Sequence, residues 1–289
     1  MVFGEIESFL SVTDRLGRFL ARKTTASEET IAQRLVKLFQ AHGVHRNQIP
    51  RLLMDSLSLA DVSRDESLTA ALTEDLLATT CELFAVNRDW LDGASDTIYP
   101  LHDFYKSPRE FITFVQSIKE RSLTTPMAVL LRSRSNKHEE DAVLIIEEGV
   151  AWLNDKPLYR YHLCPNWMLC YWKSRAYLTA CIAIARNEHV HVMGREVSID
   201  VIRRHVDGTT LLTYQHDSAL PTQGRHWEPE DMALRPEAFL EGVDPETDNF
   251  GLKSGLELWL RLHDEGLMET GLPYPDVGAV FQARLAELS

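Results

Sequence analysis

The sequence predicts an α+β, multidomain chain: an all-helical N-terminal part followed by a mixed α/β part. Two observations predict it. Through Gly93, apolar residues recur at helical spacing between polar capping residues. From Pro126 the pattern changes to short runs rich in Val, Ile, Leu and aromatic residues, separated by charged or glycine-containing turns. With 289 residues the chain is long enough for one large or two ordinary domains. The expected division is 1–95 helical, 96–220 α/β, and 221–289 an acidic, partly helical segment packed on the second domain.

Each element has a local reason. In residues 1–23, Leu10, Val12, Leu16, Phe19 and Leu20 are mostly at helical spacing, with Arg15, Arg18, Arg22 and Lys23 between or after them. This helix is a candidate dimer contact. The next starts near Thr25 or Ser27, presents Ile31, Leu35 and Leu38 on one face, and stops at Gly43. "RNQIPRLLMDSL" predicts a short helix with Pro50 in its first turn, and "SLADVSRDESLTAAL" one or two more. Thr73 then caps "EDLLATTCELF". Asn87 caps a final turn whose free N–H its side chain accepts, Trp90 and Leu91 anchor that turn, and Gly93 releases the chain.

Beyond a connection at "ASDTIYPLHDFYKSP", the sequence predicts a helix over "REFITFVQSIKERS". Strands follow at "MAVLLRS", "DAVLIIEEGVAWL" and "KPLYRYHLC", with "RSNKHEED" as a charged turn. "NWMLCYWKSRAYLTACIAIARNEH" reads as a strand and helix or as one long helix. A short strand, a turn at Gly194, a helix from Ser198 to His205 and a strand at "TTLLTYQHD" come next. The tail is loop-rich around amphipathic pieces such as "SGLELWLRLHDEGLM".

The formal net charge is -13, and its excess acid sits at the ends: 10 basic against 15 acidic residues through residue 96, 15 against 14 over 97–220, and 5 against 14 over 221–289. An acidic chain argues against non-specific grip on nucleic acid. No run approaches the roughly twenty apolar residues of a membrane span, and the N-terminus does not read as a secretory signal. Cys81, Cys164, Cys170 and Cys181 form no CxxC pair, which predicts reduced thiols and a cytoplasmic protein.

The order "RLVKLFQAHGVHRNQIPRLL … LTEDLLATTCELFAVNRDWLDG" resembles the repressor-like (phage-repressor type) helix-turn-helix domains of bacterial regulators over residues 31–94. Arg34, Leu35 and Leu38 match the first helix, and Gly43, Val44 and Ile49 the approach to the second. Leu77, Leu83, Val86, Trp90, Leu91 and Gly93 match the closing corner. The resemblance implies a module seated on the major groove of double-stranded DNA as a homodimer. Arg46, Asn47 and Arg51 would then hold phosphates, and Ser63, Arg64 and Ser67 would reach bases. Asp55, Asp61, Asp65 and Glu66 share that stretch, and Arg46 and Arg51 have the alternative of pairing with nearby carboxylates.

In the middle part, Tyr159, Tyr161, Trp167, Tyr171, Trp172 and Arg175 are candidates for a ligand pocket of aromatic walls and one cation. The competing reading is a strand packing alternate aromatics into a core. His189 and His191, with Glu188, His162 or Cys164, offer at most a non-specific metal spacing; no metal or cofactor is expected. Glu147 and Glu148 read as solvated charge at a strand end. No nucleophile elbow or phosphate loop occurs. The expectation is a DNA-binding transcriptional regulator whose second domain senses a small-molecule or protein effector, or dimerises, and so changes half-site spacing. The alternatives are a helix-turn-helix relic used for protein contact, and an enzyme with a site in the His- and aromatic-rich middle.

Overall fold

In a computed structural model, residues 29–53, 56–133, 141–214, 218–246, 250–274 and 276–288 are described. The proposed helix 1–23, the caps Thr25 and Ser27 and nearly all of the charged turn "RSNKHEED" lie outside them.

The helical part begins with α1 (Ile31–Ala41). Its cap is Thr30, which accepts from the Gln33 amide while the Gln33 side chain accepts from the Thr30 amide. Gly43, at φ +75°, ends it. A 3-10 turn over Arg46–Gln48 leads into α2 (Ile49–Leu52), with Pro50 in the first turn as expected. After a second 3-10 turn (Asp61–Ser63) come α3 (Asp65–Ala71), α4 (Glu74–Phe84) and α5 (Arg88–Leu91). Thr73 caps α4 by accepting from the Leu76 amide. Trp90 and Leu91 are buried and Gly93 leaves α5 at φ +85°, but Asn87 does not cap through its side chain. Its Nδ2 donates to Thr97 O instead, and its amide to Ile98 O, tying the corner to the connection that follows.

The α/β part runs α6 (Pro108–Arg121), β1 (Met127–Ser133), β2 (Ala142–Leu153), β3 (Lys156–Trp167), α7 (Trp172–Asn187), β4 (His191–Val197), α8 (Ile199–Val206) and β5 (Arg225–Trp227). The sheet order is β3-β2-β1-β4-β5. The first three strands form an antiparallel meander, α7 crosses over to place β4 parallel to β1, and β5 pairs antiparallel with β4. Pro165 is tolerated in β3 because that strand is at the sheet edge, and a register shift between β2 and β3 accompanies it.

Two expectations fail here. Gly194 is not a turn; it lies inside β4, where the Trp227 carbonyl of β5 occupies the space a Cβ would need. Within "TTLLTYQHD", residues 209–214 form no strand, because their backbone is spent on tertiary partners. The Leu212 amide donates to Tyr99 Oη and the Tyr214 amide to Ala41 O.

Successive strand residues point to opposite faces, and each face is a core. One joins Val129, Val143, Ile145 and Leu163 to Leu35, Leu38, Phe84 and Leu91 of the helical part in a single cluster. The other packs Leu130, Leu144 and Ile146 against α6, α7 and the tail. The tail is more helical than its loop-rich composition suggested: α9 (Asp231–Leu234), α10 (Pro236–Leu240), α11 (Phe250–Asp264) and α12 (Val277–Glu287) bury Phe239, Trp259 and Phe281. The connection after α5 is itself anchored. Ile98 and Tyr99 are buried, both their amides donate to Gly208 O, and Leu101 bridges Leu163 of β3.

Candidate functional site

The proposed DNA-contacting residues lie around one clasp. Arg46 Nε donates to Val62 O (2.5 Å), and its NH1 lies 2.7 Å from Asp65 Oδ1. This bond holds the Asp65 carboxyl below its ordinary range, and Ser58, donating through its hydroxyl and amide, does the same for Asp61. Asn47, Arg51, Ser63 and Arg64 are exposed around the clasp, while Ser67 is half-buried. Residues 53–64 separate α2 from α3, a longer connection than the three or four residues of a helix-turn-helix.

Most cations of the helical unit are already engaged. Arg34 is buried and donates to Trp90 O (2.7 Å). Lys37 pairs with Glu29 at 2.9 Å, and Arg88 with Glu74 at 2.9 Å and Asp92 at 2.8 Å. Apart from Arg34, whose partner is a backbone carbonyl, the cations of residues 29–93 with no ion pair among the described residues are Arg51 and Arg64. By contrast the acids Asp75 and Glu82 of α4 are exposed and unpaired by any cation among those residues. They are seven residues apart, on one side of the helix with Thr79 between. Beside Asp75 runs a groove of about 330 Å³ between the end of α2 and the start of α4, with Leu53 and Leu76 as its floor and Ser56, Thr73 and Thr79 as its walls.

The aromatic candidates divide between the two cores. Tyr161 is buried and Tyr159 packs partly buried on the face toward the helical unit, whereas Trp167 is buried on the other face and donates to Cys164 O. Tyr171 and Trp172 pair at 5.9 Å and are half-buried at the start of α7. Arg175 is buried below them, donating to Leu169 O (3.1 Å) and Ala238 O (2.8 Å). The six residues do not meet around one cavity, because the strand alternation sends Tyr161 and Trp167 in opposite directions. For the histidines, Glu188 is engaged by Gln116 and Lys119, Cys164 is buried, and His162 has another partner. No metal-binding group of His, Cys, Asp and Glu occurs among the described residues.

Glu147 and Glu148, expected to be solvated, are 4% and 0% exposed. As neighbours in β2 they enter opposite cores. On the α6 side, Glu148 Oε2 lies 2.7 Å from His162 Nε2 and accepts from Arg160 Nε at 2.9 Å. Its Oε1 accepts from Arg160 NH2 at 2.7 Å and from Arg121 Nε at 3.4 Å. Burial pushes this carboxyl up, but the bonds from His162 and Arg160 together outweigh it and hold it at about 2. His102, with its ring 5.7 Å from that of His162, is driven down to about 4, chiefly by burial and secondarily by its electrostatic interaction with His162. On the helical side, Glu147 accepts from Ser218 Oγ and from the Tyr161 hydroxyl, and burial pushes it up to about 7. Tyr161 Oη in turn accepts from the Ala219 amide. His42 sits nearby, its ring 4.1 Å from Phe84 and 5.8 Å from Tyr161. Burial lowers it to about 4 although its Nδ1 bonds Leu38 O.

The sequence shows two consecutive acids within a strand-like run, but their burial depends on elements distant in the chain. Two consecutive acids inside a run of strand residues cannot both face solvent once both sheet faces are covered. Chemically, the Glu148 group is a closed ion network, and the exposed charges of the helical unit without an ion pair among the described residues include Arg51 and Arg64 as well as Asp75 and Glu82 on one side of α4. No described helix is long and apolar enough to cross a membrane. Compared with known proteins, the chain matches no family model, no curated protein and no solved structure.

Proposed function

We propose that the chain is a protein-docking molecule whose helical unit offers the acidic α4 side and its groove to a partner, the repressor-like helices serving as a protein-contact surface. The observation that carries this reading is how the cations are disposed. Of those in residues 29–93, Arg34, Lys37, Arg46 and Arg88 are committed to internal partners, leaving Arg51 and Arg64. Two cations per module release few counterions, so phosphate contact contributes little affinity. The uncompensated Asp75 and Glu82 repel a phosphate backbone and attract a basic protein surface.

The test is selection over genomic fragments at about 50 and about 200 mM salt, beside photo-crosslinking from Thr79 in cells. The expected result is no salt-sensitive, sequence-selective DNA binding, and a protein crosslink that Asp75→Lys removes. Selective binding that weakens steeply with salt overturns the reading.

The DNA-binding regulator remains a second reading, favoured by one observation: Asn47, Ser63 and Arg64 are exposed chain neighbours of the Arg46–Asp65 clasp, with Arg51 one turn further on. A homodimer would then supply four free arginines to two half-sites, with an effector acting on the α/β part. Arg51→Ala and Arg64→Ala would each lower the salt slope by about 1 in that case.

A further inference from the structure

We infer that the cleft between the start of α6 and the end of α11 binds a small ring-bearing organic anion, of the aromatic carboxylate or sulfonate class. The inference goes beyond the docking surface and is independent of how the helical unit is read. Three observations converge. The cleft has a volume of about 350 Å³, within the range of about 300–1,000 Å³ found for small-molecule sites. Its lining has an apolar part: Leu262 and Leu267 are buried there, and half-buried Tyr177 of α7 adds an aromatic wall. Three cations also line it, Lys106 and Arg109 from the α6 side and Arg261 from the α11 side.

The state of these cations gives the ligand its charge. Arg261 has no ion pair among the described residues, although the tail that carries it holds 5 basic and 14 acidic residues. Lys106 has no carboxylate partner among them either; its Nζ lies 4.8 Å from the centre of the Tyr105 ring. Its backbone is left-handed, at φ +64°, which is uncommon for a side chain of that size. Arg109 reaches across to Glu265 at 3.1 Å, with both side chains exposed. An exposed pair of this kind is weak, so a bound anion competes with Glu265 for Arg109. Glu110 is the other acid of the lining, and three cations against two acids leave an excess of one positive charge. The helix start itself supplies little, because Pro108 in the first position of α6 has no amide to donate. Side chains therefore carry the recognition: the cations take the acidic group, and Tyr177 with the two leucines takes the ring.

Titration of the full chain with anilinonaphthalene sulfonate, an aromatic anion whose fluorescence rises on binding, tests this in about 0.1 M salt. Saturable binding is expected, and Arg261→Glu and Lys106→Glu are each expected to weaken it about tenfold. Leu267→Trp, which fills the cleft without touching the charges, weakens it as well. Glu265→Gln frees Arg109 and is expected to tighten it severalfold, an effect that a damaged fold does not produce. Melting is followed for every variant, so that loss of fold is distinguished from loss of binding. Excess benzoate displaces the probe, and the same concentration of uncharged benzyl alcohol does not. No saturable binding, or equal affinity in the native chain and all four variants, overturns the inference. Displacement by benzyl alcohol as strong as by benzoate removes the role of the charge. Displacement by inorganic phosphate as strong as by benzoate removes that of the ring. Either result overturns the inference too.

Discussion

Arg160 on β3 donates through NH1 to the carbonyl oxygen of Glu82 at 2.9 Å, in the last turn of α4, while its other nitrogens hold Glu148. One guanidinium therefore closes the end of a helix in one part of the chain and neutralises a buried carboxylate in the other. Positive charge at a helix C-terminus is favourable, and the network is short because Glu148 and Arg160 are cross-strand partners.

Removing that guanidinium leaves a buried carboxylate short of partners. Arg160→Met is expected to cost about 3 kcal/mol. Urea denaturation followed by tryptophan fluorescence measures it. A loss under about 1 kcal/mol would mean that Arg121 and His162 suffice to hold Glu148.

Glu147 titrates in the opposite sense to Glu148. Its folded value is raised from 4.5 to about 7 by burial, so its stabilising contribution is complete below pH 4.5 and is lost as pH rises through 7. The effect is of order 2 kcal/mol. Glu147→Gln keeps an acceptor for Ser218 and cannot ionise. Its stability relative to the native chain is expected to improve between pH 5 and pH 8 in denaturation curves; parallel curves for the two proteins would refute the assignment.

His42 governs an acid limb. Burial lowers it from 6.5 to about 4, so its contribution is present above pH 6.5 and is lost as pH falls through 4. His42→Phe is expected to flatten the decline in melting temperature between those values, after allowance for the lost bond to Leu38 O. A variant that declines as steeply as the native chain would place the acid limb elsewhere, for instance on Glu148, whose own loss runs from 4.5 down to 2.

The clasp residue and its neighbours separate structure from binding. Arg46→Ala breaks the bonds to Val62 O and Asp65 in a partly exposed setting and is expected to cost about 1 kcal/mol. Arg51→Ala and Arg64→Ala, both exposed, are expected to leave the melting temperature within error. Equal effects from all three would count against the clasp.

Two glycines differ for a geometric reason. Gly93→Ala meets only ordinary contacts with Arg34, so its cost is that of the left-handed backbone, about 1 kcal/mol. Gly194→Ala drives a methyl group into the Trp227 carbonyl and is expected to cost about 2 kcal/mol or more, read by thermal denaturation.

Local chemistry was legible where it acts locally. Thr73, Gly43, Trp90 and Gly93 placed the ends of the helices, and the run "MAVLLRS" matched β1 residue for residue. What escaped depended on distant partners. Glu147 and Glu148 read as surface charge because nothing near them in sequence announces that both sheet faces are covered. Gly194 read as a turn because its reason, the Trp227 carbonyl, is 33 positions away (227 − 194). Arg46 was considered for phosphate or carboxylate, and its choice of Asp65 required α3 to be folded against the 3-10 turn before α2. The aromatic set looked convergent in one dimension and is divided by the alternation of β3.

The anchored connection after α5 has a further consequence for how the chain unfolds. Ile98 and Tyr99 lie inside the cluster that also holds Leu35, Phe84, Val143 and Leu163. No flexible joint stands between the helices and the sheet, and a cut at residue 95 exposes an apolar surface on both fragments. Melting should therefore be a single cooperative transition, with neither piece retaining native order after the other is lost.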